Sequence, residues 1–132
     1  MNKREVHTLI IEPDPSWREL LQQSLHNAAG RVHYHIVFAA SLAEAHSSLS
    51  RKTPHFIVVD LEQVDYADAL AFLHQVRDTR ATRDSVIVCI AASHAAQDKI
   101  AAFKSGADSY YVKPINLDTF PMSYPLLERL HR

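Results

Sequence analysis

The sequence predicts an α/β domain: a parallel five-stranded sheet in the order 2-1-3-4-5, with helices on both faces. Two continuous apolar runs rich in β-branched residues, at 56–59 and 86–92, read as strands buried on both faces of a parallel sheet. Strand-like and helix-like segments alternate five times with short connections, and right-handed crossovers then make the strands parallel. The 132 residues suit one core, so 1–132 is expected to form a single domain.

The first strand is placed at 6–11, with Leu9, Ile10 and Ile11 at its centre. Asp14 followed by Pro15 is a helix start, a cap and then proline at the first helical position. Trp17, Leu20, Leu21 and Leu25 recur behind it at helical spacing, and Gly30 is the expected terminator. The second strand, 33–40, alternates His33, His35 and Val37 with Tyr34, Ile36 and Phe38, the pattern of a strand near the sheet edge. Ser41 with Glu44 matches a capping box. Leu42, Ala45 and Leu49 form the inner stripe of a helix ending near Arg51.

The third strand ends at Asp60. A loop over 61–66 precedes a helix from about Ala67 to Arg80 with Leu70, Leu73 and Val76 inward. The polar stretch 79–84 reads as a surface loop. After the fourth strand, Ser93 is positioned to cap a helix carrying Ala96, Ile100 and Phe103, and Gly106 sits where a terminating glycine belongs. A short fifth strand, 110–112, runs into Lys113–Pro114. Pro121 and Pro125 restrict the tail to a turn after Asn116 and a short helix from near Ser123 to Leu130.

Composition excludes several classes. A net charge of −1 gives no general pull toward nucleic acid or acidic lipid. No apolar run reaches membrane-spanning length, and the basic start at 1–5 has no apolar stretch behind it, so no secretory signal is expected. The single cysteine, Cys89, allows no intrachain disulfide and points to a reducing, cytoplasmic setting. Only Gly30 and Gly106 exist, too few and too scattered for a glycine-rich phosphate loop. These 132 residues hold no DNA-binding module; if they are the entire protein, no direct nucleic-acid contact is expected and output goes through protein contacts.

The carboxyl ends of the strands in such a sheet open onto the ligand crevice. Glu12 ends the first strand, Asp60 the third and Lys113 the fifth. Two carboxylates suit Mg²⁺, which takes oxygen ligands, and a lysine supplies a point charge for a phosphoryl oxygen.

At these residues the chain resembles the receiver domain of two-component response regulators, a flavodoxin-like fold. The resemblance rests on Ile-Ile-Glu-Pro-Asp-Pro at 10–15, Val-Val-Asp at 58–60 and Lys-Ser-Gly-Ala-Asp-Ser-Tyr-Tyr-Val-Lys-Pro at 104–114, and covers the whole chain in order and spacing. It implies that Asp60 accepts a phosphoryl group from a histidine kinase or phosphotransfer protein, and that Lys113 contacts that group. It implies Mg²⁺ held by Glu12, Asp60 and the backbone carbonyl of Glu62. It further implies an aromatic switch at Tyr110, a cis bond before Pro114, and output to a downstream effector protein or a second copy in a homodimer. No enzyme activity is implied beyond self-catalysed phosphoryl transfer to and from Asp60.

The chain also departs from that pattern. Pro13 stands where receivers carry a second acid that ligates the metal directly, so a weakened Mg²⁺ site is expected. Ala91 replaces the serine or threonine that hydrogen-bonds the phosphoryl group. The loop after Asp60 lacks the usual proline and glycine, and Glu62 adds negative charge at the pocket mouth. Pro13 and Ala91 support an alternative, a pseudo-receiver that acts as an interaction module without phosphorylation. A small Mg²⁺-dependent phosphatase, with Glu62 as its second acid, is a third reading, but the chain has no room for a substrate cap. Among the nine histidines, His33 and His35 could chelate one ion, but no third ligand at motif spacing accompanies them, so they read as a solvated face. His94 reads as a surface residue, Cys89 and Trp17 as core, and Arg77, Arg80 and Arg83 as a solvated basic strip.

Overall fold

The computed structural model describes residues 4–27 and 32–114. The elements run β1 (Arg4–Ile11), α1 (Pro15–Asn27), β2 (Val32–Ala39), α2 (Leu42–Arg51), β3 (Phe56–Asp60), α3 (Tyr66–Asp78), β4 (Val86–Ala91), α4 (Ala96–Ser105) and β5 (Ser109–Val112). All pair in parallel in the order β2-β1-β3-β4-β5, as the sequence predicts. The expected terminator Gly30, the turn after Asn116 and the tail helix lie outside the described residues.

Successive side chains of β1, β3 and β4 divide between two cores. Leu9, Ile11, Ile57, Val59 and Cys89 pack with Ala45 of α2 and Phe72 and Leu73 of α3. Ile10, Val58, Val88 and Ile90 pack with Leu21 and Leu25 of α1. Every residue of β3 and β4 is buried, which is why both strands read as unbroken apolar runs. Each fully buried aliphatic contributes about 1.5–3 kcal/mol, so the central strands fix the register from which the strand ends project.

The caps show how local sequence sets the helix starts. Asp14 Oδ1 accepts the Ser16 N–H at 2.9 Å at the head of α1. Ser41 Oγ accepts the Glu44 N–H at 3.1 Å, while Glu44 reaches back to the Ala40 N–H at 2.6 Å, one residue earlier than in the usual box. Ser41→Ala is expected to cost about 1 kcal/mol, read as a lower urea midpoint at unchanged m-value. At α3 the cap is Asp65, which accepts the Asp68 N–H at 2.9 Å, so this helix begins and ends slightly before its expected bounds.

Three sequence expectations are corrected. Ser93 does not cap α4. The helix starts at Ala96 after Ala95, which makes no side-chain cap bond, and Ser93 instead accepts the Ala95 N–H at 3.1 Å and donates to Asp98 at 2.6 Å. The inward stripe of α4 is Ala102 and Ser105, whereas Ile100 and Phe103 are 51% and 43% exposed. Ala102 joins the core that α3 also lines, while the bulky pair faces outward. On α1, Leu20 also faces outward. Gly106 follows α4 at φ 125°, and a Cβ there would lie 2.6 Å from Arg77 Cγ. Among the described residues, no helix is long and apolar enough to cross a membrane.

Candidate functional site: an acidic pocket at the sheet edge

β1 and β3 end side by side and β5 ends beyond β4 on the same sheet edge, so that Glu12 just past β1, Asp60 at the end of β3 and Lys113 just past β5 come together. Asp60 is 1% exposed. Its Oδ1 accepts the Glu62 N–H at 3.0 Å, and its Oδ2 accepts the Lys113 ammonium at 2.8 Å. The same ammonium lies 2.9 Å from Glu62 Oε2. It also stands 4.1 Å from the centre of the Trp17 ring. Burial acts against the charge of Lys113, but its hydrogen bonds to Asp60 and Glu62 outweigh burial and raise its pKa. Trp17 is therefore only half-buried and lies against the pocket lysine, rather than in the core as its sequence position suggested.

Glu12 is fully buried. Its Oε2 accepts the Asp14 N–H at 3.2 Å, while Oε1 has no donor. Burial, then hydrogen bonding to Asp60, then the charge of Asp60 push its pKa up to about 8. Asp60 offers only acceptor oxygens, so Glu12 can satisfy itself there only by holding a proton. The unpartnered buried oxygen and the all-oxygen donor set fit a hard divalent cation, which would take the place of that proton.

The pocket rim shows what the departures mean in space. Ala91 ends β4, 4% exposed, and its carbonyl accepts the Lys113 N–H at 2.8 Å; its methyl group brings no donor. The Ser93 hydroxyl is held by Asp98 and Ala95, so it is not free to substitute. Tyr110 is half-buried, and its O–H donates to the Ser93 carbonyl at 3.0 Å. Tyr66 O–H likewise donates to the Asp98 carbonyl at 2.6 Å. Tyr110 thus ties the loop before α4 to β5, and Tyr66 ties the first turn of α4 to α3, contacts that sequence reading did not find because the acceptors are backbone carbonyls. The Lys113–Pro114 bond is cis.

Arg77 is not part of a solvated strip, contrary to the sequence expectation. It is partly buried and donates to the carbonyls of Gly106, Arg83 and Ser85 and to Asp108. Arg80 and Arg83 are exposed.

Residues 8–122 match the family model for the response regulator receiver domain. The chain is 30% identical over 122 residues to the transcriptional regulatory protein KdpE of Staphylococcus aureus, covering 92% of this chain and 49% of that protein. The chain spans about half the length of this and other transcriptional-regulator relatives that it matches. Among solved structures, a protein assigned as a response regulator from Chloroflexus aurantiacus superposes with a TM-score of 0.80 at 25% identity, covering 98% of this chain and 100% of that one. A response regulator from Burkholderia pseudomallei, solved with a phosphorylated aspartic acid, calcium ion and citrate, has a TM-score of 0.71 at 22% identity, covering 95% of this chain and 66% of that one. The chain belongs to the response regulator receiver domain family and is a receiver domain of two-component signalling.

Proposed function

We propose that the domain receives a phosphoryl group on Asp60 from a histidine kinase or phosphotransfer protein and passes the signal on through protein contacts. The observation that carries this reading is the buried Asp60–Lys113 pair beside the unpartnered Glu12 oxygen. A carboxylate oxygen of Asp60 forms the new bond to phosphorus while the bond from phosphorus to its donor breaks and the donor keeps that electron pair. The Glu62 N–H fixes Oδ1, which orients the carboxylate. Lys113, charged throughout, moves from Asp60 Oδ2 onto a phosphoryl oxygen.

Glu12, Asp60 and the backbone carbonyl of Glu62 are the groups that would hold Mg²⁺. Bound there, it supplies the charge neutralisation that two anions need in order to approach. With proline at 13 in place of the second acid of the receiver pattern, the site would offer one carboxylate ligand fewer than that pattern supplies. Ala91 gives the phosphoryl group no hydroxyl, so Lys113 carries the differential contact that shifts the conformational balance.

Intact mass after incubation with acetyl phosphate and Mg²⁺ tests the reading. The wild type is expected to gain one phosphoryl group, and Asp60→Asn none. A folded wild type that gains nothing would overturn the proposal and leave an interaction module that works without phosphorylation.

A further inference from the structure

At the opposite end of β1 and β2, side chains from the two strands converge in a way that neither strand shows alone. Glu5 pairs in register with His33, and His7 with His35. His33 and His35 point to the same face, and Glu5 contacts His35 Nε2 across the strands. One ligand atom from each of Glu5, His33 and His35 lies within 4.8 Å of the others. Among the described residues this is the only such trio of histidine, cysteine or carboxylate side chains. The third ligand missing from the sequence motif comes from the adjacent strand.

The imidazoles are held in place. The His7 ring stacks on His35 with centroids 5.0 Å apart and an interplanar angle of 19°. On its other side it stacks on His55 at 5.5 Å and 25°. His55 is itself fixed to the strand, since its Nδ1 accepts the His7 N–H at 3.0 Å and its own N–H donates to the His7 carbonyl at 2.8 Å. His33 meets His35 edge-on at 4.4 Å.

From this we infer that Glu5, His33 and His35 form a binding site for a divalent transition-metal cation of the Zn²⁺ type, separate from the acidic pocket. Two imidazoles and one carboxylate are the donors such ions prefer, whereas Mg²⁺ takes oxygens. Tetrahedral Zn²⁺ with bonds of about 2.0–2.2 Å needs ligand atoms about 3.3 Å apart, a closure that exposed side chains reach by small rotations. Water takes the open position. Lys52 does oppose an incoming cation, but it is exposed and free to swing away. The seven residues from Glu5 to Glu12 separate the two sites by roughly 23 Å of strand, so occupation of one leaves the other open.

Calorimetric titration of the folded chain with ZnCl₂ in excess MgCl₂ tests this. One Zn²⁺ per chain is expected. His33→Ala, His35→Ala and Glu5→Gln should each weaken binding roughly tenfold or more, the scale seen even for groups one shell further out. His74→Ala, an exposed histidine on α3, should leave the titration unchanged. All of the substituted side chains are exposed, so circular dichroism should show each variant folded. Absence of a one-to-one Zn²⁺ isotherm in the wild type would overturn the inference. So would equal affinity in a folded His33→Ala, His35→Ala double variant.

Discussion

Arg77→Met is expected to lower the unfolding free energy by about 3 kcal/mol, the scale for removing one partner of a largely buried ion pair. Methionine keeps the unbranched stem and removes the guanidinium. Two N–H groups then no longer reach the Gly106 carbonyl at 3.0 and 2.8 Å. The Arg83 and Ser85 carbonyls lose donors at 2.8 and 2.6 Å, and Asp108 loses its ion-pair partner at 2.8 Å. The two side chains are 22% and 19% exposed, so water compensates only in part. Asp108 also accepts the Ile87 N–H at 2.8 Å, which links α3, the start of β4 and the approach to β5. Denaturant unfolding should show the loss, and Arg77→Lys should recover less than half of it, because an ammonium cannot fork between these acceptors. A cost within about 0.5 kcal/mol, the range of ordinary surface substitutions, would mean the network is solvated and dispensable.

Glu12→Gln is expected to stabilise the cation-free protein, increasingly so as pH rises. The group titrates near 4.5 in its ordinary state and near 8 in the folded pocket. Below the lower value both folded and unfolded chains hold the proton, and there is no penalty. Between the two values the unfolded chain has released it while the folded chain retains it, so the stability of the wild type falls with rising pH. Above pH 8 the folded chain carries a buried anion and the penalty is complete. At about 1.4 kcal/mol per pKa unit, the rise from 4.5 to about 8 corresponds to a full effect on the order of 5 kcal/mol. Glutamine is neutral at every pH and its amide can donate to Asp60. Thermal melts in EDTA from pH 5 to 9 should show the difference between variant and wild type growing up to about pH 8 and then levelling off. A difference independent of pH would place the ionisation of Glu12 elsewhere.

The fold was legible because β3 and β4 are buried on both faces, and burial of that kind leaves an unbroken apolar run. The strand ends were legible for the same reason: once those runs are aligned, Glu12, Asp60 and Lys113 must meet. Side-chain direction on α4 was not. Hydrophobicity favoured Ile100 and Phe103, but Ala102 and Ser105 take the inner face. Arg77 read as solvent-exposed because its partners are mostly backbone carbonyls and lie up to 31 residues away in sequence. Backbone acceptors leave no signature in composition. The histidine pair on β2 was visible, but its third ligand depends on the register between β1 and β2, which spacing within one strand does not encode.

The contact between Trp17 and Lys113 has an optical consequence. The chain has one tryptophan, so selectively excited indole emission comes from a single position beside the pocket. An ammonium 4.1 Å from the ring centre perturbs the excited state electrostatically. Any event that draws Lys113 toward a new anion changes that perturbation, and the emission with it. The domain therefore carries its own fluorophore for pocket occupancy, usable in stopped-flow traces without an added label.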